Sequence, residues 1–146
     1  MKQRGKPHGG VTGAAVKTAL AAVVLAFFAC GQPLVPSEVR AGVWGGERIT
    51  LTVGRTGSTV HFCCAAGKID QDLSVDASGS FEAPGEYQFE GGPIPAGGNP
   101  LLPARYSGTV SGSHMTLTVT LPSGLLGPFA LTFGYPGLTA TCVCPL

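Results

Sequence analysis

The sequence predicts an all-β fold: an eight-stranded antiparallel up-and-down barrel that follows an N-terminal signal helix. Three observations carry this expectation. From Trp44 onward, apolar and polar residues alternate at period two. Glycine (23) and proline (12) are scattered along the chain, as many short elements joined by turns require. No window beyond Cys30 carries a helical stripe of apolar side chains.

Residues 1–29 read as the signal peptide. The first part is basic (Lys2, Arg4, Lys6, Lys17) and free of acids, and an apolar run, TALAAVVLAFFA, follows over residues 18–29. That run suits a signal-peptide core but falls short of the roughly 18–20 residues that span a bilayer. The competing reading is a retained N-terminal helix serving as a membrane anchor. Cys30 directly after Ala29 resembles the lipobox of bacterial lipoproteins, which implies acylation of Cys30 and a membrane-anchored exported protein. Ordinary cleavage after Gly31, giving a periplasmic or secreted protein, is the alternative. Without the leader, five basic residues face eight acidic ones. A mildly acidic surface gives no electrostatic reason to bind nucleic acid.

Residues 30–43, with Pro33 and Pro36, read as a tether, and residues 44–146 as the barrel domain. Strands are expected at 47–54, 58–64, 68–76, 80–90, 105–111, 114–121, 128–134 and 138–144. Ile49, Leu51 and Val53 alternate with Thr50 and Thr52, and Met115, Leu117, Val119 and Leu121 with Thr116, Thr118 and Thr120. Pro84-Gly85 should bulge or kink its strand. Tight turns are expected at Arg55-Thr56-Gly57, Ala77-Ser78-Gly79, Gly112-Ser113 and Tyr135-Pro136-Gly137. Alternating directions then gather every tight turn at one pole. The loops 91–104 and 122–128, the Ala65-Ala66-Gly67 connection and the tether share the other.

Gly42-Val43-Trp44 resembles the Gly-x-Trp that opens lipocalin and avidin (calycin) barrels, where the Trp packs across the barrel base. The Thr-Asp-Tyr motif and last-strand Arg of lipocalins are missing. Trp44-Gly45-Gly46, Cys64-Ala65-Ala66-Gly67, Glu90-Gly91-Gly92-Pro93, Pro103 through Gly108 and Met115 through Thr120 resemble a group of small exported bacterial β-domain proteins. That likeness implies a compact β domain and supplies no activity.

Beyond Cys30, four cysteines remain: Cys63, Cys64, Cys142 and Cys144. An exported chain can keep disulfides. On strands, Cys63 and Cys64 point to opposite faces while Cys142 and Cys144 share one. Parity therefore favours Cys64 bonded to Cys142 or Cys144. Cys-Cys and Cys-x-Cys lack the spacing of a structural zinc knuckle, so no metal is expected.

His61 and His114 read as surface residues. Asp70, Asp72 and Asp76 should share one strand face, and Glu86 and Glu90 another, as solubilising carboxylates. No Gly-x-Ser-x-Gly elbow and no phosphate-cradling glycine loop occurs, and no cofactor is implied. An enzyme is therefore the least supported reading. The leading expectation is a binding module for a small apolar ligand or an envelope partner at the loop-rich end. Trp44, Phe62 and Phe89 would line an open interior, and Ile94, Leu101, Leu102, Leu125 and Leu126 would stand on the loops. The rival is a structural envelope protein with a filled barrel and no ligand.

Overall fold

The computed structural model describes residues 37–137 and 141–144. The expected signal helix and Cys30 lie outside the described residues. The strands, in chain order, are β1 (Ser37–Glu38), β2 (Gly42–Gly46), β3 (Ile49–Val53), β4 (Ser58–Phe62) and β5 (Ala65–Ile69). They continue with β6 (Ser74–Val75), β7 (Ser80–Phe89), β8 (Leu101–Ser111), β9 (His114–Leu121) and β10 (Gly124–Phe133). No described residue is helical.

Eight of these strands close into an antiparallel barrel in the order β10-β2-β3-β4-β5-β7-β8-β9. Each strand pairs with the next along the chain, and β10 returns to β2. β1 and β6 form a separate two-stranded sheet. The all-β fold and the eight-stranded closure agree with the sequence expectation. The identity of one strand does not: residues 141–144 are not strand, and the eighth position belongs to β2 at 42–46. Glycines at 42, 45 and 46 hide β2 from a reading based on alternation.

Alternation explains the layers. Trp44, Leu51, Val60, Tyr106, Leu117 and Val119 face inward and are fully buried. With Ile49, Val53, Ile69, Phe81, Ala83, Ala104, Met115, Leu121 and Leu131 they form one continuous apolar cluster. The barrel interior is filled with side chains, not open. Outward positions carry hydroxyls: on β9 Thr116 and Thr120 are exposed, and the Thr109 and Thr116 Oγ1 atoms sit 2.6 Å apart. An apolar inside and a hydroxyl-rich outside invert the pattern of a membrane-spanning barrel.

Two further expectations are corrected. The strand placed at 68–76 is two elements, β5 and β6, with Asp70, Asp72 and Asp76 in the irregular chain around them. These carboxylates therefore share no strand face. Pro84 does not break β7, whose register with β8 runs unbroken from Ser80 to Gln88. Pairing of β7 with β5 reaches only Glu86, so on that edge Pro84 has no ladder bond to lose.

The expected sorting of connections holds in part: the 55–57, 77–79 and 112–113 turns share one pole and the loops after β7 and β9 the other, while the tether enters at the turn pole. The Glu47-Arg48, Cys63-Cys64 and Pro122-Ser123 turns lie at one pole with the long β7–β8 loop. The opposite pole holds the 54–57 and Gly112-Ser113 turns and the β5–β7 connection containing β6. Tight turns thus occur at both poles. The chain reaches β2 at the pole opposite the long loop, where Val39 donates its N–H to Leu73 O at 2.7 Å. Val39, Leu73 and Val75 are buried there and plug that end. The segment expected to be a bare tether is partly core.

Trp44-Gly45-Gly46 now has a mechanical reading. Trp44 fills the interior, its Nε1–H donating to Arg40 O at 2.9 Å and its ring meeting Phe133 edge-on at 5.1 Å. Arg40 lies over the other aromatic of this pair, 3.9 Å from the Phe133 centroid. A Cβ on Gly46 would overlap Ala130 O, so only glycine lets β10 approach and close the wall.

Candidate functional site

The long-loop pole is built from four connections. The β4–β5 turn supplies Cys63 and Cys64, and Cys64 O accepts the Glu90 N–H at 2.8 Å, fixing where the long loop departs. The loop, residues 90–100, turns at Pro95, whose carbonyl accepts the Gly98 N–H at 2.9 Å with Gly98 at φ +80°. Its far end is held by Gln88 Nε2 donating to Asn99 O at 2.7 Å. The sequence reading made the loop 91–104; residues 101–104 belong instead to β8. Likewise 122–128 is a two-residue turn followed by strand β10, which bulges between Leu126 and Phe129.

Below this rim sits an aromatic layer. Phe62 meets Tyr87 at 5.6 Å and Phe129 at 5.7 Å between ring centroids. With Leu126 these rings are half-buried against the core and form the floor of the pole. Burial lifts the Tyr87 phenol above its ordinary range. Register places Phe89 in the same row, opposite Ala65, and Leu102 opposite Tyr87.

The candidate residues therefore divide. Phe62, Leu102 and Leu126 lie half-buried at this pole, while Phe89, Ile94 (73% exposed), Leu101 (58%) and Leu125 (70%) stand out of it. Trp44 does not join them. It is fully buried among core side chains. One residue was missed. Val143, 79% exposed, is delivered to this pole by the cysteines on either side of it.

Both cysteine pairs are closed, Cys63 to Cys142 and Cys64 to Cys144, with Cα separations of 5.1 and 5.5 Å. The pairing of Cys64 agrees with the favoured reading. Parity favoured only one of Cys63 and Cys64 as a partner for the other pair, and that limit fails because both occupy the turn itself, where the strand rule does not apply. Sequence separations of 79 and 80 residues make each loop long. In the chain-entropy model one such closure is worth about 4.5 kcal/mol; the second, spanning the same loop, adds far less.

The bonds anchor a strap that leaves β10 at Gly134, whose N–H donates to Val43 O at 2.7 Å. Thr50 Oγ1 donates to Pro136 O at 2.9 Å, and Gly137 rests on Gly45. The strap thus crosses the outside of β2 and β3 before reaching the cysteine turn. Cys144 also packs beneath the loop: a Cβ on Gly91 would meet the Phe89 ring and, at 3.3 Å, the Cys144 Cβ.

Elsewhere the wall carries ordinary surface chemistry. Arg105 pairs with Glu82, and Lys68 with Asp70 at 2.6 Å. Exposed pairs of this kind contribute little. Asp76 is held below the usual carboxylate range by the Ser78 hydroxyl and the Ser80 and Ser78 N–H groups, as a turn closure. His61 and His114 are exposed. Among the described residues no group of three or more His, Cys, Asp or Glu side chains is placed to hold a metal ion. Comparisons with family models, curated proteins and solved structures find no match.

Proposed function

We propose that this chain is an exported binding module whose long-loop pole docks an apolar surface on a partner protein of the cell envelope. One observation carries the reading. Of the seven large apolar side chains exposed among the described residues, five (Phe89, Ile94, Leu101, Leu125 and Val143) lie at that pole. Scattered apolar exposure is ordinary, but concentration at one end is the mark of a contact surface. Disulfides at the same pole hold it in shape, which lowers the entropy lost on docking. They also favour an oxidising compartment, in line with a leader that exports the chain.

The filled interior argues against a small ligand inside the barrel, so the reading is narrowed to a surface contact. It also removes a lipid-derived ligand supplied by an anchor near the loops, because the chain joins the barrel at the other pole. The same filled interior favours a second reading, a structural envelope protein without a partner at the rim.

A photo-crosslinking residue at Ile94, compared with one at Thr116 on the outer wall, tests the reading in the native cell. A discrete adduct from position 94, lost on Leu101→Asp and absent from position 116, is the expected result. Equal labelling from both positions, or none from either, favours the structural role. Mass spectrometry of the mature N-terminus decides the anchor: a free Gln32 start removes it.

A further inference from the structure

We propose that the two disulfides are a reducible latch on the rim, so that the long-loop pole exists in a fastened, oxidised form and a loosened, reduced one. This rests on the reading of that pole as a contact surface and adds its control. The barrel does not need the latch. Its eight strands pair without any residue beyond Phe133, whereas residues 141–144 add no strand. The cysteine bonds instead join three peripheral pieces: the strap, the β4–β5 turn and, through Cys144 against Gly91, the loop that carries Phe89 and Ile94. Opening both bonds frees the far end of the strap, withdraws Val143 from the pole and removes the support under Gly91.

The chemistry is thiol–disulfide exchange with a dithiol reductant, in the cell an exported dithiol oxidoreductase. Its thiolate attacks the Cys142 sulfur, the sulfur–sulfur bond to Cys63 breaks, and Cys63 leaves as a thiolate that takes a proton. The second thiol of the reductant then attacks the mixed disulfide, releasing Cys142 as a thiol and leaving the reductant oxidised. Two electrons pass per bond. Cys142 is exposed while Cys63, Cys64 and Cys144 are half-buried, so the Cys63–Cys142 bond opens before Cys64–Cys144.

Hydrogen exchange on the full mature chain, with and without a phosphine reductant, tests the latch. Reduction should speed exchange at least about tenfold in peptides covering 135–137 and 90–100, with β3 and β9 peptides still protected. Unaltered strap exchange overturns the proposal, as does loss of protection in β3 and β9 together with the strap. The Cys64→Ser/Cys144→Ser double variant keeps one bond and so guards against general unfolding. It should loosen 90–100 while the strap stays protected; a loop indistinguishable from the parent also overturns the proposal. Crosslinking from position 94 should fall on reduction. Absence of any adduct in both forms removes the partner reading and leaves the exchange result to decide the latch.

Discussion

Tyr106 occupies the space that Gly67 leaves vacant two strands away. Its hydroxyl donates to Glu86 O at 2.7 Å, and a Cβ on Gly67 would overlap that hydroxyl oxygen. Gly67→Ala should therefore destabilise the domain by about 1–3 kcal/mol, the usual range for overpacking a filled core. Tyr106→Phe alone should cost about 1 kcal/mol for the lost hydrogen bond. Combined, the two should cost less than their sum, because removing the hydroxyl makes room for the methyl. Urea unfolding of the four chains measures the cycle, and strict additivity would contradict the contact.

The same tyrosine sets an alkaline limit. Burial, helped by Tyr87, pushes the Tyr106 phenol far above its ordinary value. The folded chain thus keeps a proton that the unfolded chain releases, and the stability this provides is full below about pH 10 and falls as pH rises beyond it. Unfolding midpoints should drop above about pH 10, and Tyr106→Phe should flatten that drop. Parallel curves for the two chains would assign the alkaline limit to other groups.

Ser58 faces the interior on β4, 4% exposed, and its Oγ has no hydrogen-bond partner among the described residues. A buried hydroxyl without a partner is a cost. Ser58→Ala should leave stability unchanged or raise it by about 1 kcal/mol, read as an upward shift in melting temperature. A loss greater than about 1 kcal/mol would mean that the hydroxyl is satisfied in solution.

Trp44 is the single tryptophan of the chain and is fully buried. Its emission should be blue-shifted and shielded from acrylamide, and apolar small molecules should leave it unquenched. Trp44→Ala should cost about 3–5 kcal/mol. Saturable quenching by an apolar ligand would show an interior open to guests.

Gly45 lies under the strap, where a Cβ would overlap Tyr135 O and the Gly137 backbone. Gly45→Val should lift the strap from the wall without touching the inward-facing core. Faster exchange in peptides covering 134–137, with β9 protection retained, is the expected readout.

How far the sequence reveals this molecule depends on which force shapes each part. Burial on one side of a strand writes itself as alternation, so β3, β4, β7 and β9 are legible from Ile49, Val60, Phe81 or Met115 and their neighbours. β2 is not, because Gly45 and Gly46 are selected for the close approach of other backbone, and such approach leaves no hydrophobic pattern. The pole of the tether was misassigned for the same reason: with β2 unseen, the chain was taken to enter the barrel at the long-loop end. Ile94, Leu101 and Leu125 could be named as exposed apolar residues because loop and turn signals flank them; Phe89, expected to line the interior, stands exposed at the rim instead. Val143 could not, since its position depends on two long-range covalent bonds. Cys63 shows the limit of parity, which holds along a strand and fails in a turn of two residues.

One join in the cylinder is shorter than the rest. β10 meets β2 through only Thr132 with Gly45 and Phe133 with Trp44, while β10 and β9 share a ladder running from Gly124 to Thr132. Any opening of the wall should begin at that slit. The chain leaving β10 passes directly over its far lip and is buckled two strands further on. It works as a hoop around a split stave, and cutting the buckle should let the slit breathe long before the staves themselves come apart.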